Sequence, residues 1–200
     1  MPRSKESFET MRQATRQKIE AAALSLFARK GLSVKVGEIA EEAGASMGLM
    51  YSHYPSKDAL IAELIRQATS ISSKAIIDFS IGENSAAGKI NTISSMMCKM
   101  FSEGPTGIDY FMFMAQVGMS DFAVPEEIWY SKGLPNPVDT FALIIAQGQA
   151  EGSAVDGAPL QLSIVYWAAV QGLCSYAATG VQAAPSQQML SRIILKEEYL

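Results

Sequence analysis

The sequence has little of the chemistry that metal centres and disulfide frameworks require. Its 200 residues include two cysteines and a single histidine. Cys98 and Cys174 lie far apart in the chain without a CxxC pair, and no catalytic partner in the fold can be assigned to His53 from the sequence. These features argue against a zinc site or a structural disulfide and fit a protein of the reducing cytoplasm. We expect no metal, no cofactor and no catalytic residue.

Long apolar runs are also scarce, with one exception. The N-terminus lacks an apolar core and therefore does not read as a signal peptide. No charged residue occurs between Asp156 and Arg192, and this segment approaches the length of a membrane span. Polar side chains interrupt it and no basic cluster flanks it, which favours a helix buried in a core or a subunit interface. We expect no membrane association and a cytoplasmic location.

The two signs of charge are unevenly distributed, although the net charge is −4. Lysine and arginine outnumber the acidic residues from Met1 to Ser73, whereas acidic residues dominate the remainder. A basic front on an acidic body indicates that only the N-terminal part approaches a polyanion. The charge distribution is equally consistent with lysine and arginine side chains that simply cover solvent-exposed faces of helices.

Hydrophobic residues recur with helical period, and no run alternates over the length of a strand. The pattern predicts a first helix that ends at Gly31, a second that ends at Gly44, a third that Ser46 caps, and a fourth that Ser56 caps after Pro55. Further helical stretches are predicted at 87–103, 107–120, 125–150 with a kink or late start, 160–179 and 185–198. The sequence therefore predicts an all-α protein of about nine helices. We place an N-terminal arm and three-helix unit at residues 1–55, and a larger domain that begins with the connecting helix at 56–200.

The stretch AGASMGLMYSHYPSKDAL, at 43–60, holds a short helix that buries little apolar surface. Two helices joined by a tight glycine turn, the second short and preceded by a capping serine, are typical of a helix-turn-helix. A recognition helix can be short because only its first turns must reach the major groove. Its positive N-terminal dipole favours approach to phosphate. Gly48 costs the helix about 1 kcal/mol relative to alanine, and the missing side chain would let the backbone lie close to DNA.

Four motifs stand in and before this stretch, namely Phe27–Gly31, Ile39–Gly44, Tyr51 and Pro55–Leu60. Together they resemble the DNA-binding region of the tetracycline-repressor (TetR) family of transcriptional regulators, and the resemblance covers about residues 12–65. The resemblance implies an all-α homodimer that binds a double-stranded DNA operator and releases it when a small-molecule effector binds the larger domain. It also implies DNA-binding roles for Lys35, Val36, Gly37, Ser46, Met47, Gly48, Leu49, Tyr51, His53 and Lys57.

The resemblance further assigns these residues to different parts of the duplex. The second helix would open against the DNA at Lys35, residues 46–49 would face the major groove, and Tyr51, His53 and Lys57 would contact the sugar-phosphate backbone. Many relatives carry a lysine, arginine or glutamine where Met47 stands. Met47 and Leu49 can contact a thymine methyl group but cannot form bidentate hydrogen bonds to bases. We therefore expect an operator that is read partly through backbone contacts and DNA shape.

Methionine and aromatic residues accumulate after residue 95, and such side chains suit an adaptable pocket. From the residues alone, ordinary core packing explains most of them. The resemblance implies a ligand site among these helices, with Met96, Met97, Met100, Phe101, Tyr110, Phe111, Phe113, Met114 and Trp167 as candidate lining. Asp109 or Glu103 could pair with a cationic ligand, and Lys89 or Lys99 with an anionic one.

The resemblance also implies a homodimer through the C-terminal helices. In agreement, the segment 160–179 is uncharged and rich in small residues that allow a partner helix to approach closely. The leading hypothesis is thus a ligand-responsive repressor, and the sequence does not separate it from an activator. The alternative is an all-α ligand-binding protein or enzyme that uses the methionine-rich pocket without a DNA-directed function. It is disfavoured because HExxH, GxSxG and glycine-rich phosphate motifs are lacking.

Overall fold

The computed structural model describes residues 5–82, 85–102, 105–124, 137–181 and 184–200. In these ranges the helices are α1 (Lys5–Lys30), α2 (Val36–Glu42), α3 (Met47–His53), α4 (Lys57–Gly82), α5 (Ala86–Ser102), α6 (Pro105–Gly118), α7 (Pro137–Ala150), α8 (Pro159–Ala178) and α9 (Gln187–Ser191). A 3-10 turn at Glu197–Tyr199 follows. The only β-type pairing in the described ranges is one isolated bridge between Ala154 and Leu195. The predicted all-α fold of about nine helices is confirmed.

The ends of the first four helices follow local signals in the sequence. Gly31 ends α1 with a left-handed φ of 78°, a conformation that glycine adopts without steric cost. The hydroxyl oxygens of Ser46 and Ser56 each accept a hydrogen bond from the N–H group three residues later, at 3.1 and 3.0 Å. The predicted caps of α3 and α4 are therefore confirmed, since these bonds satisfy N–H groups that a helix leaves unpaired.

A first hydrophobic core lies where α1, α2 and α3 meet the N-terminal half of α4 and one face of α6. Its buried members include Ile19, Phe27, Ile39, Met50, Leu60, Leu64, Phe113 and Val117. Phe27 of α1 stacks on Phe113 of α6 with ring centroids 6.0 Å apart. The core is thus continuous across residues 55 and 56, where the sequence analysis placed the domain boundary.

A second hydrophobic core is formed by α5, α7, α8, α9 and the chain after α9. Its buried members include Ile90, Ile93, Phe141, Ile145, Tyr166, Val170, Leu190 and Ile194. The buried hydroxyl groups of Ser94 and Tyr166 are hydrogen-bonded to each other at 3.0 Å. This bond satisfies two polar groups that burial would otherwise leave unpaired.

Helix α6 contributes to both cores. Phe113 and Val117, which lie one turn apart, are buried in the first core, whereas Ile108 and Phe111 pack against the second. Met112 packs against both. This arrangement follows from the helical period, because residues three or four positions apart share a face while intervening residues point elsewhere. Helix α6 therefore packs into both cores and connects them.

Two of the predicted helical stretches do not match the described helices residue for residue. The described part of the stretch 125–150 is α7, and the predicted kink or late start falls in residues 125–136, which lie outside the described ranges. The stretch 185–198 is not one helix, because α9 ends at Ser191. The chain then pairs with the loop between α7 and α8, where the Val155 N–H donates to the Ile194 carbonyl at 2.8 Å and the Lys196 N–H donates to the Ser153 carbonyl at 3.0 Å.

Helix α8 corresponds to the uncharged segment of the sequence. None of the described helices has the length and apolar character needed to cross a membrane. One face of α8 is buried in the second core through Ser163, Tyr166, Val170 and Cys174. The other face exposes Leu160, Ile164, Val165 and Tyr176. Within a single chain the helix is therefore buried on one side only. Of the two expectations, burial in a core or in a subunit interface, the single chain does not fulfil the first, and the second stays a prediction.

The shared position of α6 leads to a prediction about stability. We expect Phe113→Ala to lower the free energy of unfolding by about 3–5 kcal/mol, because loss of the ring leaves a cavity between α1 and α6. Urea unfolding followed by circular dichroism measures this change. The control is Met119→Ala, which removes a side chain that is 75% exposed and should change stability by less than about 0.5 kcal/mol. Equal stability of the two variants would contradict a core that depends on α6.

Candidate nucleic-acid interface

The turn between α2 and α3 fixes the two helices against each other. Gly44 adopts a left-handed φ of 62°, and the Ala45 N–H donates to the Ala40 carbonyl at 2.8 Å. A side chain added at Gly37 would lie 3.8 Å from the sulfur of Met47. The first turns of α2 and α3 are therefore neighbours, so that the predicted contacts of 35–37 and of 46–49 belong to one surface.

Helix α3 separates the residues that hold it from the residues that it presents. Met50 is fully buried in the first core, whereas Met47, Leu49 and Tyr51 are 52%, 42% and 47% exposed. Ser46 and Gly48 are exposed as well. Three of the seven residues of α3 thus expose large apolar or aromatic side chains.

Gly48 leaves open space on that surface. No atom of the protein lies within 4 Å of the position that a Cβ atom would occupy. Its φ lies outside the left-handed region, so neither packing nor backbone geometry within the free chain requires glycine here. An external surface that approaches the backbone closely supplies a reason for the missing side chain.

The charges around α2 are largely paired. Glu38 accepts a hydrogen bond from the Lys35 N–H at 3.0 Å and forms an ion pair with Lys30 at 3.0 Å. These interactions lower the pKa of Glu38. Arg29 lies 3.9 Å from the carboxylate of Glu42. The basic residues that end α1 thus neutralise acidic residues of α2, while the side chain of Lys35 remains exposed.

The structure places two of the predicted backbone contacts differently from the rest. The Lys57 ammonium group donates to the carbonyl oxygens of Leu32 and Val34 at 2.8 and 3.3 Å. It therefore closes the turn between α1 and α2, and a phosphate contact would have to replace these bonds. His53 is partly buried at the end of α3, in contrast to the exposed Tyr51.

Tyr54 is a residue of this region that the sequence analysis did not single out. It is 5% exposed, and its N–H closes α3 by donating to the Met50 carbonyl at 3.0 Å. Its hydroxyl group donates to the Glu20 carboxylate and accepts from Nε of Arg16 at 3.0 Å. Burial raises the pKa of Tyr54, so the hydroxyl keeps its proton. The sequence could indicate the ion pair of Arg16 with Glu20, because residues four apart are neighbours on a helix. It could not indicate that Tyr54 joins this pair, because Tyr54 lies 34 residues beyond Glu20.

The nine candidate ligand residues do not form one group in the described structure. Met97, Met100, Phe101, Phe111 and Trp167 pack against the second core. Phe113 is part of the first core, and Tyr110 and Met114 pack against it. Met96 lines a surface groove of about 360 Å³ with residues of α5 and α9. The division follows from the two faces of α6, which the methionine and aromatic composition alone did not reveal.

An aromatic cluster lies where α6, α7 and α8 meet. Trp167 stacks on Phe111 with ring centroids 6.1 Å apart, and its edge contacts with Phe141 and Tyr166 have centroid distances of 5.8 and 5.4 Å. The buried Nε1 of Trp167 and the buried Oγ1 of Thr140 have no hydrogen-bond partner. An unpaired buried donor is costly by about 1–3 kcal/mol. The cluster therefore holds a polar group that an additional molecule could satisfy.

Among the described residues, no group of three or more His, Cys, Asp or Glu side chains lies together in a way that could hold a metal ion. An apolar groove of about 340 Å³ runs between α8 and α9, with Gly172, Tyr176, Pro185 and Met189 among its lining residues.

Comparison with known protein families finds a match in the N-terminal region. Residues 19–64 match the family model described as bacterial regulatory proteins, tetR family. No curated protein sequence matches the chain significantly. The matched residues run from Ile19 of α1 to Leu64 of α4 and thus include the whole α2–α3 surface.

Solved structures resemble the chain over nearly its full length. The MbdR regulator from Azoarcus sp. CIB has 20% identity and a TM-score of 0.72, over 90% of this chain and 96% of that one. A TetR-family regulator from Agrobacterium tumefaciens has 17% identity and a TM-score of 0.68, over 90% and 95%. A transcriptional regulator from Saccharomonospora viridis, solved in complex with choline, has 21% identity and a TM-score of 0.65, over 92% and 99%. At these identities the likeness establishes the fold.

Gly48 provides a test of the interface. We expect Gly48→Ala to stabilise the free protein, because alanine is favoured over glycine within a helix by about 1 kcal/mol. The same methyl group should weaken binding to duplex DNA by about tenfold, because it overpacks a close backbone contact. Thermal unfolding and fluorescence anisotropy measure the two effects.

The matched control is Gly118→Ala at the end of α6, where a Cβ atom also has no neighbour within 4 Å. This variant should leave DNA affinity unchanged. If Gly48→Ala also kept full DNA affinity, the backbone of α3 would not lie against DNA.

Proposed function

We propose that this chain, which carries the DNA-binding domain of the tetR family of bacterial regulatory proteins, is a transcriptional repressor that a small, mostly apolar ligand releases from its operator. The proposal places the protein in the cytoplasm and gives it a binding function without a catalytic step. The observation that carries it is the α2–α3 surface. Its presented side chains are exposed while Met50 and Tyr54 hold α3 from behind, which is the arrangement that a recognition helix requires.

The residues of the α2–α3 surface divide into two proposed kinds of DNA contact. Ser46, Met47, Gly48 and Leu49, at the first turn of α3, would face base edges in the major groove. Lys35, Tyr51 and His53 would contact the sugar-phosphate backbone, together with Val36 and Gly37 at the start of α2. Phosphate contacts position a protein on the duplex, whereas base contacts and DNA shape supply specificity. Because Met47 and Leu49 offer only apolar contacts, thymine methyl groups and groove shape would supply most of that specificity.

We propose that the chain acts as a homodimer through α8 and its neighbours. The exposed apolar face of α8 and the groove between α8 and α9 support this arrangement. No charged side chain of α8 opposes burial of that face. A two-fold pair would present two copies of α3 to successive major grooves.

We place the effector site at the aromatic cluster of α6, α7 and α8. A ligand there would contact the rings of Phe111 and Trp167, and Met97 and Met100 of the same core could repack around it because a thioether chain adapts its shape readily. The unpaired Nε1 of Trp167 favours a ligand that carries a hydrogen-bond acceptor. Binding would release DNA by stabilising a position of α6 that is incompatible with the DNA-bound form.

The DNA-binding proposal is tested by selecting bound fragments from a random duplex pool at physiological salt with excess competitor DNA. Stating the salt concentration is essential, because non-specific phosphate binding weakens steeply as salt rises. We expect a common site with two-fold symmetry, and light scattering should give a mass of two chains both for the free protein and on that site. Bound fragments without any common sequence, or a monomer mass, would contradict the proposal.

The effector proposal is tested with pairs of aromatic compounds that differ only by a carbonyl in place of a methylene group. Thermal-shift titrations should show that the wild-type protein prefers the ketone by about tenfold, the effect of one hydrogen bond to Trp167 Nε1. Trp167→Phe keeps an aromatic ring but removes the donor, so the preference should disappear. Equal affinity of the wild type for both members, or no binding by any pair, would contradict an acceptor-bearing ligand at this cluster.

A further inference from the structure

A polar contact links the effector-domain helix α6 to the connecting helix α4. The hydroxyl group of Tyr110 donates to Oε1 of Gln67 at 2.8 Å. The amide nitrogen of Gln67 donates in turn to Oε1 of Glu63, one helical turn earlier, at 2.9 Å. Both functional groups of the Gln67 amide are thereby engaged, so its orientation depends on the position of Tyr110.

Glu63 carries the connection from α4 to α1. The same oxygen that accepts from Gln67 also accepts from Nη2 of Arg16 at 2.9 Å. Arg66 holds the carboxylate from the other side, with contacts of 2.6 and 2.9 Å to its two oxygens. Only 16% of the Glu63 side chain is exposed. Hydrogen bonds in a chain polarise one another, so loss of one of these donors weakens the network that also holds Arg16.

Arg16 completes the connection to the end of α3. Its Nε is shared between the carboxylate of Glu20 at 2.8 Å and the hydroxyl group of Tyr54 at 3.0 Å. Its guanidinium carbon also lies 5.6 Å from the centre of the Tyr54 ring. Tyr54 follows α3 directly, and its N–H forms the last hydrogen bond of that helix. The position of Arg16 therefore bears on the C-terminal end of α3.

From these contacts we propose that Tyr110, Gln67, Glu63 and Arg16 are positioning residues, which couple α6 to the C-terminal end of α3 through a continuous hydrogen-bonded path ending at Tyr54. The path deepens the proposed function, and it rests on that function only in taking α3 as the recognition helix. The path passes from α6 to α4 through the bond of Tyr110 with Gln67. It then passes from α4 to α1 through the bond of Glu63 with Arg16.

The start of the path lies next to the aromatic cluster. Phe111, which stacks on Trp167, is the sequence neighbour of Tyr110 on α6. The two side chains leave the helix toward different cores, because successive residues of a helix are separated by about 100°. A rotation or shift of α6 that moves the Phe111 ring therefore also moves the Tyr110 hydroxyl group relative to Gln67. The path thus supplies a physical connection between the cluster and the DNA-facing helix.

The coupling is tested in the free, full-length protein by amide hydrogen exchange, which reports local opening of a helix. Tyr110→Phe keeps the ring in the first core but removes the hydroxyl group that Gln67 binds. We expect amide exchange at residues 50–54 to become about fivefold faster in this variant, because a link that holds the end of α3 is lost. A second variant, Gln67→Met, cuts both bonds at the same position and should produce at least the same acceleration.

Tyr166→Phe is the matched control, since it removes the hydroxyl hydrogen bond to Ser94 in the second core. Exchange in α3 should remain at the wild-type rate in this variant. Unchanged exchange in both Tyr110→Phe and Gln67→Met would overturn the proposal. Equal acceleration in all three variants would also overturn it, because that result indicates general loss of stability.

The double variant Tyr110→Phe/Gln67→Met tests whether the two residues belong to one path. Its amides should exchange no faster than those of Gln67→Met alone, and additive effects would argue against one path. Because no DNA or ligand is present, the result stands apart from the outcome of operator selection.

Discussion

The packing of α6 between two hydrophobic cores is the constraint on which the rest of the structure depends. Phe113 completes the first core against Phe27, while Phe111 contributes to the second. Protein interiors pack as densely as organic crystals, so a helix in two cores cannot shift in one without a change in the other. Helices α2 and α3 consequently do not form an independent unit. They share their core with a helix of the domain that we propose to bind the effector.

The sequence was sufficient to predict features that depend on a few neighbouring residues. Glycine turns and serine caps define α2, α3 and the start of α4, and the structure confirms them. Features that depend on distant residues could not be predicted. Lys57 binds a carbonyl group 25 residues earlier, and helical period indicates that α6 has faces without indicating which core each face meets. The C-terminal stretch has apolar residues at helical spacing, but its backbone pairs with the loop before α8 instead.

The interface also shows why the distribution of charge in a sequence is an incomplete guide to a surface. Lys30 and Arg29 belong to the basic N-terminal part of the chain, yet they lie against Glu38 and Glu42 of α2. Part of the positive charge of the N-terminal region is therefore offset by acidic residues beside the α2–α3 surface. On the proposed function, DNA binding would then depend less on long-range attraction and more on the fit of α3 to the groove.

The separation of roles along α3 has a consequence for divergence between related genes. Its anchoring depends on Met50 and on Tyr54, whereas Met47, Leu49 and Tyr51 make no comparable contribution to the core. Exposed positions of this kind tolerate substitution with little effect on stability. On the proposed function, two copies of the gene would acquire different target sites after duplication through changes at a few exposed positions of α3. The buried residues that anchor α3 would stay the same.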